Sequence, residues 1–157
     1  MFRPHVILHP TDLSENSRLA YSIAVDLAKQ NQAQLLILHV VETLGPENVT
    51  FGEAASQLEP ASYQERLKRD LQVSLPPAAD VATHYLLSEG DPAVAVQRLA
   101  REHHCDLIVI STHGRTGLAR LLMGSNAERI IRLAPCSLLV VKQPIPEPAE
   151  PSRERLV

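Results

Sequence analysis

The residues best suited to chemistry lie between positions 111 and 125, where Ser111, Gly114, Arg115, Gly117, Gly124 and Ser125 follow the apolar run Leu107, Ile108, Val109, Ile110. Three of the six glycines of the chain fall between positions 114 and 124. Glycine lets main-chain N–H groups approach a ligand closely. A helix opening at Ser125 would present unpaired N–H donors, those of Asn126 and Ala127 among them, and the positive end of its dipole to an anion. That chemistry is phosphate binding. A plain turn before a helix uses the same residue types, but this connection is longer than most strand-to-helix loops and holds the apolar Leu118, Leu121, Leu122 and Met123, so it must pack on something. Arg115 and Arg120 can neutralise phosphate charge or can be solvated loop arginines. Ser125 can cap the helix and also contact a phosphate.

Such a loop needs a strand to carry it and a helix to follow it, and the chain supplies both repeatedly. Val6, Ile7 and Leu8 predict a short first strand; the turn Pro10, Thr11, Asp12 leads to Ser14, a good N-cap. The first helix follows, with Leu19, Ile23 and Leu27 on one face and an end near Asn31. A second apolar strand over 35–41 is interrupted only by His39, and a stretch rich in Gly, Pro and Asn follows over 42–60. A helix over 61–73 carries Leu67 and Leu71 and stops before Pro76 and Pro77. The third strand spans 83–87, and Gly90, Asp91 and Pro92 then open a helix with Ala93, Val96, Leu99 and Ala100 inward. The fourth strand is 107–110, the fourth helix runs from Ser125 to about Leu133 with Ala127, Ile130, Ile131 and Leu133 at helical spacing, and the fifth strand is 137–141. Strands alternating with helices imply right-handed parallel crossovers and an open α/β sheet with helices on both faces.

The order Gly114, Gly124, Ser125, then Ala127, Glu128, Arg129 and the run from Ala134, Pro135 and Cys136 to Lys142, resembles the universal stress protein family. The opening His9, Pro10, Thr11, Asp12 and the strand Leu36, Ile37, Leu38, His39, Val40 are similar to the same family's first two strand ends, so the resemblance covers residues 4–142. It implies an open five-stranded parallel sheet of order 3-2-1-4-5, like adenine nucleotide alpha hydrolases. It also implies ATP, or AMP or ADP, bound by Pro10, Thr11, Asp12, Val40, Ile110, Ser111 and the loop and helix start already named, with Val40 and Ile110 walling the adenine. The ATP-binding branch has a glycine where this chain has Ser111. Ligands of open α/β sheets bind where strand order reverses, here between the first and fourth strands. Asp12 lies there. It can accept from a ribose hydroxyl or the adenine amine, help hold Mg2+ or Mn2+ bridging the phosphates, or serve only as a turn or cap carboxylate.

Composition narrows the remaining classes. The 157 residues, 45% of them hydrophobic, suffice for one domain, expected over 1–142, with a mobile Pro-rich tail over 143–157. A formal net charge of −3, 3% aromatic residues and no Trp offer neither a basic groove nor a stacking platform for nucleic acid. No run is long and apolar enough for membrane insertion, and the expected location is cytoplasmic. Cys105 and Cys136 precede neighbouring strands and are expected as free thiols, and His103 and His104 as a helix end. His9, His39 and His113 fall near strand ends with no nucleophile or second base paired to them, so no catalytic residue is assigned.

The primary reading is an ATP-binding regulatory protein of the stress response, a switch with slow or no hydrolysis that orders residues 111–125 and 42–60 and signals to an unidentified protein partner. The alternative is a dimeric stress or scaffolding protein that binds no nucleotide. A phosphotransferase or hydrolase lacks an identifiable base. The last strand (Leu138, Leu139, Val140, Val141) is an apolar sheet edge, so a homodimer through it is expected, unless the tail covers that edge and leaves a monomer.

Overall fold

Five apolar runs pair into one sheet in the computed structural model, which describes residues 1–42, 60–112 and 123–142. In chain order the elements are β1 (Val6–Thr11), α1 (Glu15–Asn31), β2 (Gln34–Val41), α2 (Pro60–Ser74), β3 (Thr83–Glu89), α3 (Pro92–Glu102), β4 (Leu107–Ser111), α4 (Ser125–Leu133) and β5 (Ser137–Val141). The sheet is wholly parallel with order β3-β2-β1-β4-β5, the order the resemblance implied. The segments 43–59 and 113–122 and the tail from 143 lie outside the described residues.

Alternation along the buried strands sorts their side chains onto two faces. Ile7, Leu35, Ile37, Leu107 and Val109 pack with Ala20, Ala24, Ala28, Leu71 and Leu75 of the α1 and α2 side. Leu8, Leu36, Leu38, Ile108 and Ile110 pack with Ala93, Val96, Leu99, Ala127 and Ile130 of the α3 and α4 side. Both cores are built from fully or nearly fully buried residues. On α1 the most buried residues are small: Ser17, Ala20, Ala24, Val25 and Ala28, while Leu19, Ile23 and Leu27 are only half-buried. That corrects the expected stripe by one position, because small residues let the helix sit close to the sheet and the leucines flank the contact.

Two helices, α1 and α3, open on the caps their sequence foretells. Ser14 caps α1, its Oγ accepting from the Ser17 N–H at 3.2 Å, and Asp91 caps α3 by accepting from the Val94 N–H at 3.0 Å, with Pro92 in the first turn. Gly90, at φ +105° where a side chain would be strained, turns β3 into α3 and donates to the Val41 carbonyl at 3.0 Å. Several boundaries run past expectation: β2 starts at Gln34, α2 spans Pro60–Ser74 and β3 continues to Glu89. β1 runs on through Pro10 to Thr11 because β2 keeps pairing with it as far as Thr11↔His39, and β4 ends on Ser111 rather than Ile110. Cys105 is buried and Cys136 half-buried, both free and in the same core; burial pushes the Cys105 thiol up to about 12.

Candidate functional site

The strand order reverses between β1 and β4. β1 pairs with β4 at Ile7↔Leu107 and Leu8↔Ile108, while its pairing with β2 continues three residues further, to Thr11↔His39. The carboxyl ends of the strands at such a reversal are the place where open α/β sheets take ligands. Pro10, Thr11 and Asp12 form one wall and Ile110, Ser111 and Thr112 begin the other.

The β1 wall is held by its own hydrogen bonds. Thr11 is 7% exposed. Its Oγ1 accepts from the Leu13 N–H at 3.0 Å and from the Ser17 hydroxyl at 2.7 Å, and its carbonyl accepts from Nδ1 of His39 at 3.0 Å. Asp12 Oδ1 accepts from the Ser14 N–H at 3.0 Å, the turn role weighed above. Leu13, between them, has φ +63°. For a non-glycine residue this conformation is uncommon and carries strain, and the flanking side-chain bonds hold it there.

The β4 wall is built differently. Thr112 is buried; its N–H donates to the Val141 carbonyl at 3.0 Å and its carbonyl accepts from the Gly124 N–H at 2.9 Å. The two ends of segment 113–122 are therefore held side by side. Gly124, not Ser125, is the N-cap of α4, with no side-chain cap bond. This corrects the capping role given to Ser125, which sits in the first helical turn; Gly124 alone has the extended φ −59°, ψ 145° that an N-cap needs. Ser125 and Asn126 are exposed and Ala127 is buried. Gly114, Arg115 and Gly117, like Arg120 and His113, lie outside the described residues.

Two further contacts position the start of α4. Asn126 Nδ2 donates to Glu42 Oε1 at 3.2 Å, linking the helix to the chain just after β2. Arg129 pairs with Asp91, the α3 cap; the Arg129 guanidinium and the Val94 N–H hold the Asp91 carboxyl below the usual carboxylate range. Val40 and Ile110 border the same apolar face, Ile110 almost fully buried and Val40 half-buried. The arrangement can thus offer an apolar wall, a carboxylate and a helix start to one ligand. Among the described residues no cluster of three or more His, Cys, Asp or Glu could hold a metal ion.

A universal stress protein family model matches residues 4–142. The chain belongs to the universal stress protein family. It is 37% identical over 141 residues to Universal stress protein MJ0531 of Methanocaldococcus jannaschii, covering 88% of this chain and 82% of that protein. Among solved structures it is similar to universal stress protein UspA from Lactobacillus plantarum, with 26% identity, a TM-score of 0.66 and coverage of 90% and 99%. It also shares its fold with a universal stress protein in complex with cAMP, at 22% identity, a TM-score of 0.64 and coverage of 89% and 98%. Family and α/β fold are thereby shown. Sequence reading passed over Thr112, Glu42 and Ser17, whose placements come from contacts between distant segments; for His9 it offered only a satisfied or solvent-facing histidine, and the ring is fully buried.

Proposed function

We propose that this universal stress protein binds an adenine nucleotide, ATP first, in the β1–β4 crevice and works as a nucleotide-dependent switch with slow or no hydrolysis. The observation that carries the reading is the meeting of a strand-order reversal with a helix start capped by glycine: the order turns between β1 and β4, and α4, which follows β4, begins with no capping side chain. Unpaired first-turn N–H groups and the helix dipole favour an anion there. The adenine rests against Val40 and Ile110, the ribose near Pro10, Thr11 and Asp12, and the phosphates near Ser111, Gly124, Ser125, Asn126 and Ala127, with Gly114, Arg115 and Gly117 completing the loop. Mg2+ or Mn2+ accompanies the phosphates, with Asp12 as the candidate ligand. A fold-mate in complex with cAMP adds support for an adenine nucleotide as the class of ligand.

In this reading residues 1–142 are the binding unit, 143–157 its tail, the protein is cytoplasmic, and it meets a regulatory partner. It pairs through β5, an edge strand on which Leu139 is exposed. Titration calorimetry of nucleotide-free protein with ATP, with and without Mg2+, tests it: saturable binding lost in Gly124→Val is expected. Gly124 has φ −59°, which a side-chain-bearing residue adopts without strain, and a melting curve of Gly124→Val alongside the titration separates lost binding from lost folding. Absence of binding at millimolar ATP would give first place to the dimeric scaffolding reading, which Ser111 in place of the branch's first glycine favours.

A further inference from the structure

Main-chain pairing between β1 and β4 ends at Leu8↔Ile108, and Pro10 brings no N–H with which to extend a ladder. Between them stands His9, fully buried, with Nδ1 2.9 Å from the Val109 carbonyl oxygen of β4. A carbonyl can only accept, so Nδ1 carries the proton and donates, and Nε2 is the unprotonated nitrogen. Nε2 has no hydrogen-bond partner among the described residues. The Tyr21 ring lies 6.0 Å from the imidazole, tilted by 44°. A buried acceptor left unpaired is unfavourable, and a leucine would continue the core of Ile7, Leu35 and Val109 without it. What the imidazole adds is its donor to Val109.

We propose that His9 is a positioning residue of the nucleotide crevice: by tying β1 to β4 past the end of their main-chain pairing, it sets how far Thr11 and Asp12 stand from Ile110 and Ser111. The inference rests on the nucleotide reading above. His9 does not touch the ligand in it. Its side chain lies on the α1 and α2 face, opposite the Ile110 face, and it acts through the main chain of Val109, the residue before Ile110. Burial lowers its pKa from 6.5 to about 4, so the ring stays neutral and the tether intact around neutral pH.

Two substitutions separate the donor from the volume. Asn places its Nδ2 donor where Nδ1 now sits, and Leu fills the space with no donor. In the wild type, nitrogen NMR at pH 7 should show a neutral imidazole protonated on Nδ1; the other tautomer or an imidazolium overturns the proposal. ATP binding should weaken about tenfold in His9→Leu and stay within about threefold of wild type in His9→Asn, a lost buried hydrogen bond being large enough for this. Unchanged affinity in His9→Leu, or an equal loss in both variants at matched melting temperatures, overturns it. If the wild type binds no ATP, the nucleotide reading fails by itself, and amide exchange at Ile110, Ser111 and Thr112 decides the tether. Exchange faster in His9→Leu and restored in His9→Asn supports it; unchanged exchange overturns it. Should His9→Leu not fold, the tautomer and the Asn variant still decide.

Discussion

The two walls of the crevice begin helices in opposite ways. After β1, Thr11, Asp12, Ser14 and Ser17 bond one another, and the start of α1 is satisfied from within the chain. After β4, α4 starts on Gly124 with no side-chain cap. A helix start supplied with its own acceptors can hold a wall in place, while one without them keeps its donors for an anion from outside. Rigidity and binding capacity are thus divided between two strands that share one sheet.

The largest expected effect strikes the β1 wall through acid. Burial is the main cause that depresses His9, while the Val109 bond and the charge of Asp12 act against it. The unfolded chain takes up this proton near pH 6.5 and the folded one only near pH 4. Between those values the unfolded state binds more protons, so stability present above pH 6.5 is lost as pH falls towards 4. The shift corresponds to about 3 kcal/mol. Urea unfolding of wild type and His9→Asn at pH 7 and pH 4 measures it as the difference in slope; parallel curves would show that His9 titrates as an exposed histidine does.

Next in size, Thr11→Val keeps shape and strand preference but removes the acceptor of the Leu13 N–H and the Ser17 hydroxyl. A loss of about 2 kcal/mol is expected on denaturant unfolding. A neutral result would mean that water replaces both bonds and that the wall is looser than its geometry implies. Ser14→Ala, which deletes the α1 cap, should destabilise by about 1 kcal/mol, and the same assay checks it.

The smallest change in stability carries the sharpest test of the contrast. Gly124→Asp gives α4 the kind of cap that Asp91 gives α3, and a gain of about 0.5 kcal/mol is expected. Its carboxylate would occupy the anion position, so ATP affinity should fall although the protein melts higher. Affinity that stays level while stability rises would place the phosphates elsewhere.

Much of this was legible from residues alone. The caps Ser14 and Asp91, the end of α1 at Asn31 and the inward stripe of α3 follow from local rules, since a cap needs only a side chain three residues from its donor. The glycine cap of α4 was misread as Ser125 because both residues favour the position and only the backbone decides between them. The end of β1 was placed too early because Pro10 signals a turn, and only pairing with β2 carries a strand through it. Of the candidate residues, Gly114, Arg115 and Gly117 fall outside the described residues.

By itself the sequence determined the succession of strands and helices, their caps and the family resemblance, because hydrophobic period and turn chemistry act over a few neighbouring residues. The tertiary structure alone decided how far β1 pairs with each neighbour, that Thr112 and Gly124 close on each other, and that His9 reaches Val109 a hundred residues away. Those contacts join segments distant in the chain, and no local preference encodes a distance between them.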